Sequence, residues 1–328
     1  MAQVAPSMIS GKDVGPIGYG LMGLTRPWAP VEYPVAARIM KTALEQGANL
    51  WNGGIHYGTP TANSLHLLKY YFMQYPEDAD RVILSIKGCY DLATHKPNGT
   101  PEGVRASVEI VLSVLDGVKK IDIFECARVD PNVPIETTIG ALAELVSEGK
   151  IGGIGLSEVS AATIRRAHAV HPISSVEIEL SLFTPDVLRN GVAEACRELK
   201  IPIIAYGPVA RGWLTGQLRK FEDLPASDMR RHMPRFKREV FDNNAKLAEA
   251  VGAVAKRKAL TVPQVAIAWV SAQGAIPIPG ATTEERVCEN CTRVKLDEED
   301  LEQLKRITET ITAHGERYGG AHEKLLNL

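Results

Sequence analysis

The sequence predicts an α/β protein of the (β/α)8 TIM-barrel class, and two observations carry that prediction. Eight short apolar runs recur along the chain, at residues 17–20, 49–52, 82–87, 121–127, 151–156, 175–180, 201–206 and 275–278. They are rich in Ile and Val and bounded by Gly, Pro or Lys, as buried parallel strands are. Amphipathic runs of helical length separate them, and right-handed crossovers close such a series into a barrel. An open doubly wound sheet normally stops near about six strands and carries its phosphate fingerprint after the first.

The helical runs have start and stop signals of their own. Residues 35–46 end at Gly47, a C-cap residue. Residues 101–115 open on Pro101, with Glu102 where it suits the helix dipole. Residues 134–148 end at Gly149, and Ser160 is a plausible N-cap for residues 160–170. Residues 186–199, 240–258 and 262–272 complete the set. The expectation is one barrel domain over residues 1–328, with an inserted loop and helix after the seventh strand at 211–258. That insertion contains the basic stretch MRRHMPRFKR at 229–238, which reads equally as a solvated loop or as a phosphate-facing segment.

Composition narrows the function classes. The chain has 328 residues and a formal net charge of -2, which gives no sequence-wide pull toward nucleic acid or anionic membrane. A hydrophobic fraction of 45% with 23% charged residues is that of a globular protein, not a disordered one. No run of about 18 apolar residues is present, so no membrane span is expected. The opening MAQVAPSMISGKDVG lacks the basic and apolar regions of a secretory leader, and a reducing, cytoplasmic setting is the expectation. Five cysteines, an odd count in a long chain, argue against a disulfide framework. Cys288 and Cys291 form a C-x-x-C in a helical stretch with no second pair, so no metal is expected; a structural thiol and a redox role both stay open. No interface signature stands out, and the oligomeric state is left open.

GYGLMG (18–23) matches G-x-G-x-x-G. A dinucleotide-binding turn of that type must open a helix, and Pro27 and Pro30 stand in its way. A glycine-rich strand end that admits a ligand to the backbone fits better.

Chemistry in a barrel belongs at the C-terminal ends of the strands. Asn52, His56 and Tyr57 lie there on the second strand, Lys87 on the third, and Glu125, Ala127 and Arg128 on the fourth. Ser157 and Glu158 follow on the fifth, Glu177 and Glu179 on the sixth, and Tyr206 on the seventh. A phenol is a poor acid near neutral pH, and a nearby ammonium lowers its pKa. A Tyr57–Lys87 pair would then protonate an alkoxide as hydride reaches a carbonyl carbon. A loop tyrosine and a strand-end lysine without a joint role is the other reading.

Six segments in order resemble the aldo-keto reductases, barrels that bind NADPH in extended form at the C-terminal mouth. They are NLWNGGIHYG (49–58), VILSIKG (82–88), IDIFECARVD (121–130), KIGGIGLSEVS (150–160), IPIIAYGPVARGWLTGQ (201–217) and IPIPGATTEERVCEN (276–290). The resemblance implies Tyr57 as proton donor, Lys87 as its partner and Asn52 in the place of the family's Asp. It implies that Tyr206 stacks on the nicotinamide and that Ser157 and Glu177, the latter in a Gln position, meet the carboxamide. Gly20, Met22, Gly207, Pro208, Leu214 and Gly216 would line the cofactor path. Gly280, Thr282, Arg286, Glu289 and Asn290 would hold the adenosine end, with Arg286 suited to a 2′-phosphate. Trp28, His56, Ala127 and Arg128 would form the substrate pocket.

Two departures stand out. With Asn52 for Asp, Lys87 would be less neutralised and would pull harder on Tyr57. With Ala127 for the family's His, volume would open beside the nicotinamide. The phrase CARVDPNVPIETT (126–138) and the start VGPIGYGLMGLT (14–25) resemble the fungal pyridoxal reductase branch, which implies an NADPH-dependent reduction of pyridoxal or another aromatic aldehyde. Glu125 departs from that branch, and a carboxylate there needs a partner. A catalytically weak cofactor-sensing subunit and a Schiff-base aldolase using Lys87 are the alternatives.

Overall fold

The computed structural model describes residues 8–94 and 96–328. Eight strands form one sheet in sequential order: β1 (Tyr19–Gly20), β2 (Leu50–Gly54), β3 (Ile83–Gly88), β4 (Ile123–Cys126), β5 (Ile154–Ser157), β6 (Ile173–Glu179), β7 (Ile203–Tyr206) and β8 (Ile276–Pro277). Every neighbouring pair is parallel. The sheet closes on itself, because the Gly18 amide donates to the Pro277 carbonyl at 2.9 Å and the Gly20 amide to Pro279 at 3.3 Å. The seam is tight: a Cβ on Gly18 would stand 2.6 Å from the Leu50 carbonyl oxygen. The chain is therefore a (β/α)8 barrel, as its strand pattern predicts.

Strand side chains alternate between two faces, and here the alternation sorts chemistry along the barrel axis. Leu50, Ile83, Ile123, Ile204 and Ile276 point inward and pack together at the N-terminal end. Ile9, from a hairpin that pairs Met8–Ile9 with Lys12–Asp13, plugs that end. Two residues further along the same strands the interior turns polar, at Asn52, Ser85 and Glu125. The opposite parity, including Trp51, Leu84, Phe124 and Val176, packs outward under the helices. Each such side chain contributes about 1.5–3 kcal/mol on burial.

The helical layer comprises α1 (Tyr33–Glu45), α2 (Ser64–Gln74), α3 (Pro101–Leu115), α4 (Ile135–Ser147), α5 (Ala161–Val170), α6 (Val192–Glu198), α7 (Arg238–Arg257) and α8 (Val262–Ala272), followed by α9 (Glu284–Cys291) and α10 (Glu298–Thr310). Ser160 caps α5 by accepting from the Thr163 amide. The sequence reading has no helix at α2. Its signal is Asn63, whose side chain caps the first turn reciprocally with His66, inside a stretch too aromatic to show clear helical periodicity. The run expected at 186–199 is broken: a short turn, Asp186–Leu188, precedes α6, and Gly191 at φ 88° separates them. The opening segment read for a leader includes residues 1–7, which lie outside the described residues.

Candidate active site

The strand registers bring the predicted groups together inside the C-terminal half of the barrel. Asn52 on β2 pairs with Ser85 on β3, Lys87 with Glu125 on β4, and Ser157 on β5 with Glu177 on β6. All six side chains are buried. Lys87 forms an ion pair with Glu177, a second with Glu125 at 3.5 Å, and donates to Asn52 Oδ1 at 3.4 Å. The Asn52 amide nitrogen donates to Glu177 Oε2 at 2.6 Å and to Glu125 Oε1 at 3.1 Å.

This geometry corrects two expectations. Lys87 is not under-neutralised, because two carboxyls face it where the resemblance supplied one. Glu177 is turned into the barrel, with one oxygen on Lys87 and the other on Asn52, so it does not offer itself to a carboxamide. Burial works against the Lys87 charge, but Glu125, Glu177 and Tyr57 outweigh it and raise its pKa. Burial, reinforced by the Glu125 charge, pushes Glu177 well above the usual carboxyl range, with Lys87 opposing.

Tyr57 follows β2 and meets the same ammonium. Lys87 Nζ stands 5.9 Å from the centre of its ring, close enough for the ammonium to act on the phenol. Burial pushes the Tyr57 phenol up to about 12; Lys87 pulls it down, and Glu177 and Glu125 push it up again. The expectation of a net lowered pKa is therefore corrected, although the pull of Lys87 has the expected sign. His56 packs edge-on against Tyr57 at 4.6 Å and lies 5.4 Å from the Tyr90 ring. Burial, then Lys87 and Arg128, pushes its pKa down to about 3, so the imidazole is neutral.

Ala127 is buried, and Arg128 folds back to donate to its carbonyl at 2.6 Å. Beside them lies a small pocket whose lining includes Cys126, Arg128, Asp130 and Ser157. Ser157 Oγ is buried with no hydrogen-bond partner among the described residues. Met22 and Trp28 are exposed, at 48% and 62%, beyond the end of β1.

Tyr206 ends β7, and its ring centre lies 5.8 Å from Lys87 Nζ. The loop behind it turns at Gly207 (φ 64°) and Gly216 (φ 73°), with Pro208 buried between them. Leu214 has its side chain in the core, and its amide donates to the Val209 carbonyl at 3.2 Å.

After β8, the Tyr19 hydroxyl donates to the Ala281 carbonyl at 2.6 Å, which ties this loop to β1. Gly280 and Gly20 are close enough that a Cβ on Gly280 would stand 3.2 Å from the Gly20 oxygen. Thr282 lies beside Gly23, and Thr283 caps α9. Arg286 is exposed on the first turn of α9, Glu289 is half-buried and Asn290 is buried. Cys288 and Cys291 are both free.

Sequence reasoning missed the ion network over the mouth. Arg317 donates to both oxygens of Glu158, to Glu179 at 3.1 Å and to the Tyr206 hydroxyl at 2.8 Å. Arg211 and Arg235 also face Glu179, at 3.4 and 3.6 Å. Buried carboxylates at Glu158 and Glu179 demand counter-ions, but pattern alone does not say which arginines fold back to them. The basic stretch at 229–238 is largely engaged internally. Arg230 bonds Asp228, Arg231 bonds the Leu224 carbonyl, and Arg238 pairs with Glu222.

Among the described residues no helix is long and apolar enough to cross a membrane. A family model described as the aldo/keto reductase family matches residues 16–309. A "probable pyridoxal reductase 2" of Schizosaccharomyces pombe is 44% identical, over 98% of this chain and 99% of its own. A "probable aldo-keto reductase 1" of Glycine max is 37% identical, over 97% of this chain and 92% of its own. A solved glycerol dehydrogenase from Gluconobacter oxydans superposes with a TM-score of 0.81 at 21% identity, covering 95% of this chain and 96% of that one, a likeness of fold.

Proposed function

Because the chain belongs to the aldo/keto reductase family of oxidoreductases, whose members typically use NAD(P)H, we propose that it is an NADPH-dependent aldehyde reductase acting on pyridoxal. The observation that carries this reading is the Tyr57 ring 5.9 Å from the buried, ion-paired Lys87 ammonium at the C-terminal end of the barrel.

The residues present fit a nicotinamide. The buried Ser157 hydroxyl without a partner among the described residues is suited to a carboxamide, and the Tyr206 ring stands 5.8 Å from Lys87 Nζ at the same mouth. Gly280, Thr282, Arg286, Glu289 and Asn290 would hold the adenosine end, where α9 presents its first N–H groups. When bound, the reduced cofactor supplies a hydride to the carbonyl carbon. Tyr57 then gives its proton to the carbonyl oxygen, and the Lys87 ammonium stabilises the phenolate left behind.

Two features support the choice of aldehyde. The S. pombe relative carries the name of a pyridoxal reductase. Ala127 supplies no donor to a carbonyl oxygen, and pyridoxal has a ring hydroxyl ortho to its aldehyde that polarises the carbonyl from within. A cytoplasmic setting is part of the proposal, supported by five free cysteines.

The test is oxidation of NADPH and of NADH against an aldehyde panel that includes pyridoxal and 3-deoxypyridoxal. The reading expects NADPH and pyridoxal to give the highest kcat/KM. Equal kcat/KM for pyridoxal and its 3-deoxy analogue would reject the internal-hydroxyl idea. Tight NADPH binding with no turnover of any aldehyde would favour a cofactor-sensing subunit.

A further inference from the structure

We propose that the facing carboxyls of Glu177 and Glu125 together are the counter-ion that keeps Lys87 charged and so sets the readiness of Tyr57 to release its proton. The inference deepens the reductase reading and rests on it only for its effect on turnover.

Lys87 is 3% exposed, and a buried ammonium keeps its proton only beside an anion. The groups that face it come from every neighbouring element. Asn52 on β2 is neutral, and His56 and Tyr57 follow that strand. Glu125 stands on β4 and Glu177 on β6, Tyr206 ends β7, and Arg128 lies beyond β4 as a further positive charge. Negative charge therefore reaches Lys87 from the two glutamates. Two carboxyls therefore stand against one ammonium.

Asn52 makes that arrangement workable. Its NH2 group donates to both glutamates, and its oxygen accepts from Lys87. An aspartate at this place would remove both donors and add a further negative charge beside the two carboxyls. Asn52 and Glu177 are thus a matched set, and an acid at position 52 is tolerable only when one at position 177 is gone.

This predicts a reversal of sign. Asn52→Asp should harm the wild-type protein and help a protein that lacks the glutamates. The first readout needs no cofactor: 13C NMR of lysine Cε in the ligand-free protein, with the Lys87 signal identified by its loss in Lys87→Arg. In wild type Lys87 should stay charged beyond the ordinary lysine pKa of about 10.4. In Glu125→Gln/Glu177→Gln it should titrate below that value, and adding Asn52→Asp should return it above. The second readout is the pH profile of aldehyde reduction. Glu125→Gln/Glu177→Gln should lower kcat about tenfold or more and move the alkaline limb toward neutral pH, and adding Asn52→Asp should regain most of the loss.

Circular dichroism and melting curves establish which variants fold, and Glu177→Asp, which keeps the charge, stands in if the glutamine variants do not. It should hold Lys87 charged as in wild type. A Lys87 signal in the double variant that titrates as in wild type would overturn the proposal, and so would Glu177→Asp behaving as an uncharged variant. The expected NMR shifts in a wild-type protein that reduces no aldehyde would sink the reductase reading alone. Turnover with an unmoved Lys87 would sink the counter-ion alone.

Discussion

The Tyr318 hydroxyl lies 2.9 Å from the Tyr206 hydroxyl. Residues near the C-terminus therefore bear directly on the aromatic ring at the end of β7. Arg317 clamps the same contact by bonding Tyr206, Glu158 and Glu179. Further along, the Asn327 amide donates to the Glu158 carbonyl, and the Leu328 carbonyl accepts from Ser160. Removing the guanidinium leaves two buried carboxylates short of a partner. Arg317→Ala should cost about 3 kcal/mol, read from urea unfolding. A change within about 0.5 kcal/mol, the range of an ordinary surface substitution, would show that the network adds no stability.

Tyr57→Phe removes one hydroxyl from the core of the proposed chemistry. Aldehyde reduction should fall by about 10²–10⁴, the range expected for loss of general-acid help. NADPH affinity, followed by fluorescence titration, should change little, because the phenol is assigned to the carbonyl oxygen. Retained turnover would remove Tyr57 from its role.

Arg286 is exposed on the first turn of α9, where a guanidinium suits the extra phosphate of NADPH. Arg286→Ala should raise KM for NADPH about tenfold or more, the loss of one charge-assisted contact, and leave KM for NADH nearly unchanged. Equal effects on the two cofactors would place the phosphate elsewhere.

His56 gives a pH prediction with a definite sign. Its folded pKa of about 3 lies below the unfolded value of about 6.5. Between those values the unfolded chain binds the extra proton, so stability falls as pH falls through that window. At neutral pH both states are uncharged and the difference vanishes. His56→Asn, compared with wild type by urea unfolding at pH 7 and at about pH 4.5, should narrow the stability lost on acidification. An unchanged loss would mean that the imbalance arises at other groups.

The barrel itself was legible, because eight Ile- and Val-rich strands with short connections leave few topologies. The identity of Tyr57, Lys87 and Ser157 as strand-end groups was legible for the same reason. What they touch was not. Glu177 and Lys87 are 90 positions apart, and their ion pair depends on strand register across the barrel, which no local pattern encodes. Arg317 and Glu158 are separated by 159 positions and meet only because the C-terminal segment crosses the mouth. The helix Ser64–Gln74 escaped because its aromatic residues blur the helical period, although its cap at Asn63 was available to be read.

The most direct measurement follows the hydride itself. NADPH carrying deuterium at the transferring position of C4 would be incubated with the protein and pyridoxal, and the product analysed by mass spectrometry. The account predicts pyridoxine with one deuterium on its new carbinol carbon, formed in the wild type and strongly suppressed in Tyr57→Phe. Pyridoxal recovered unchanged, or pyridoxine without the label, would contradict it.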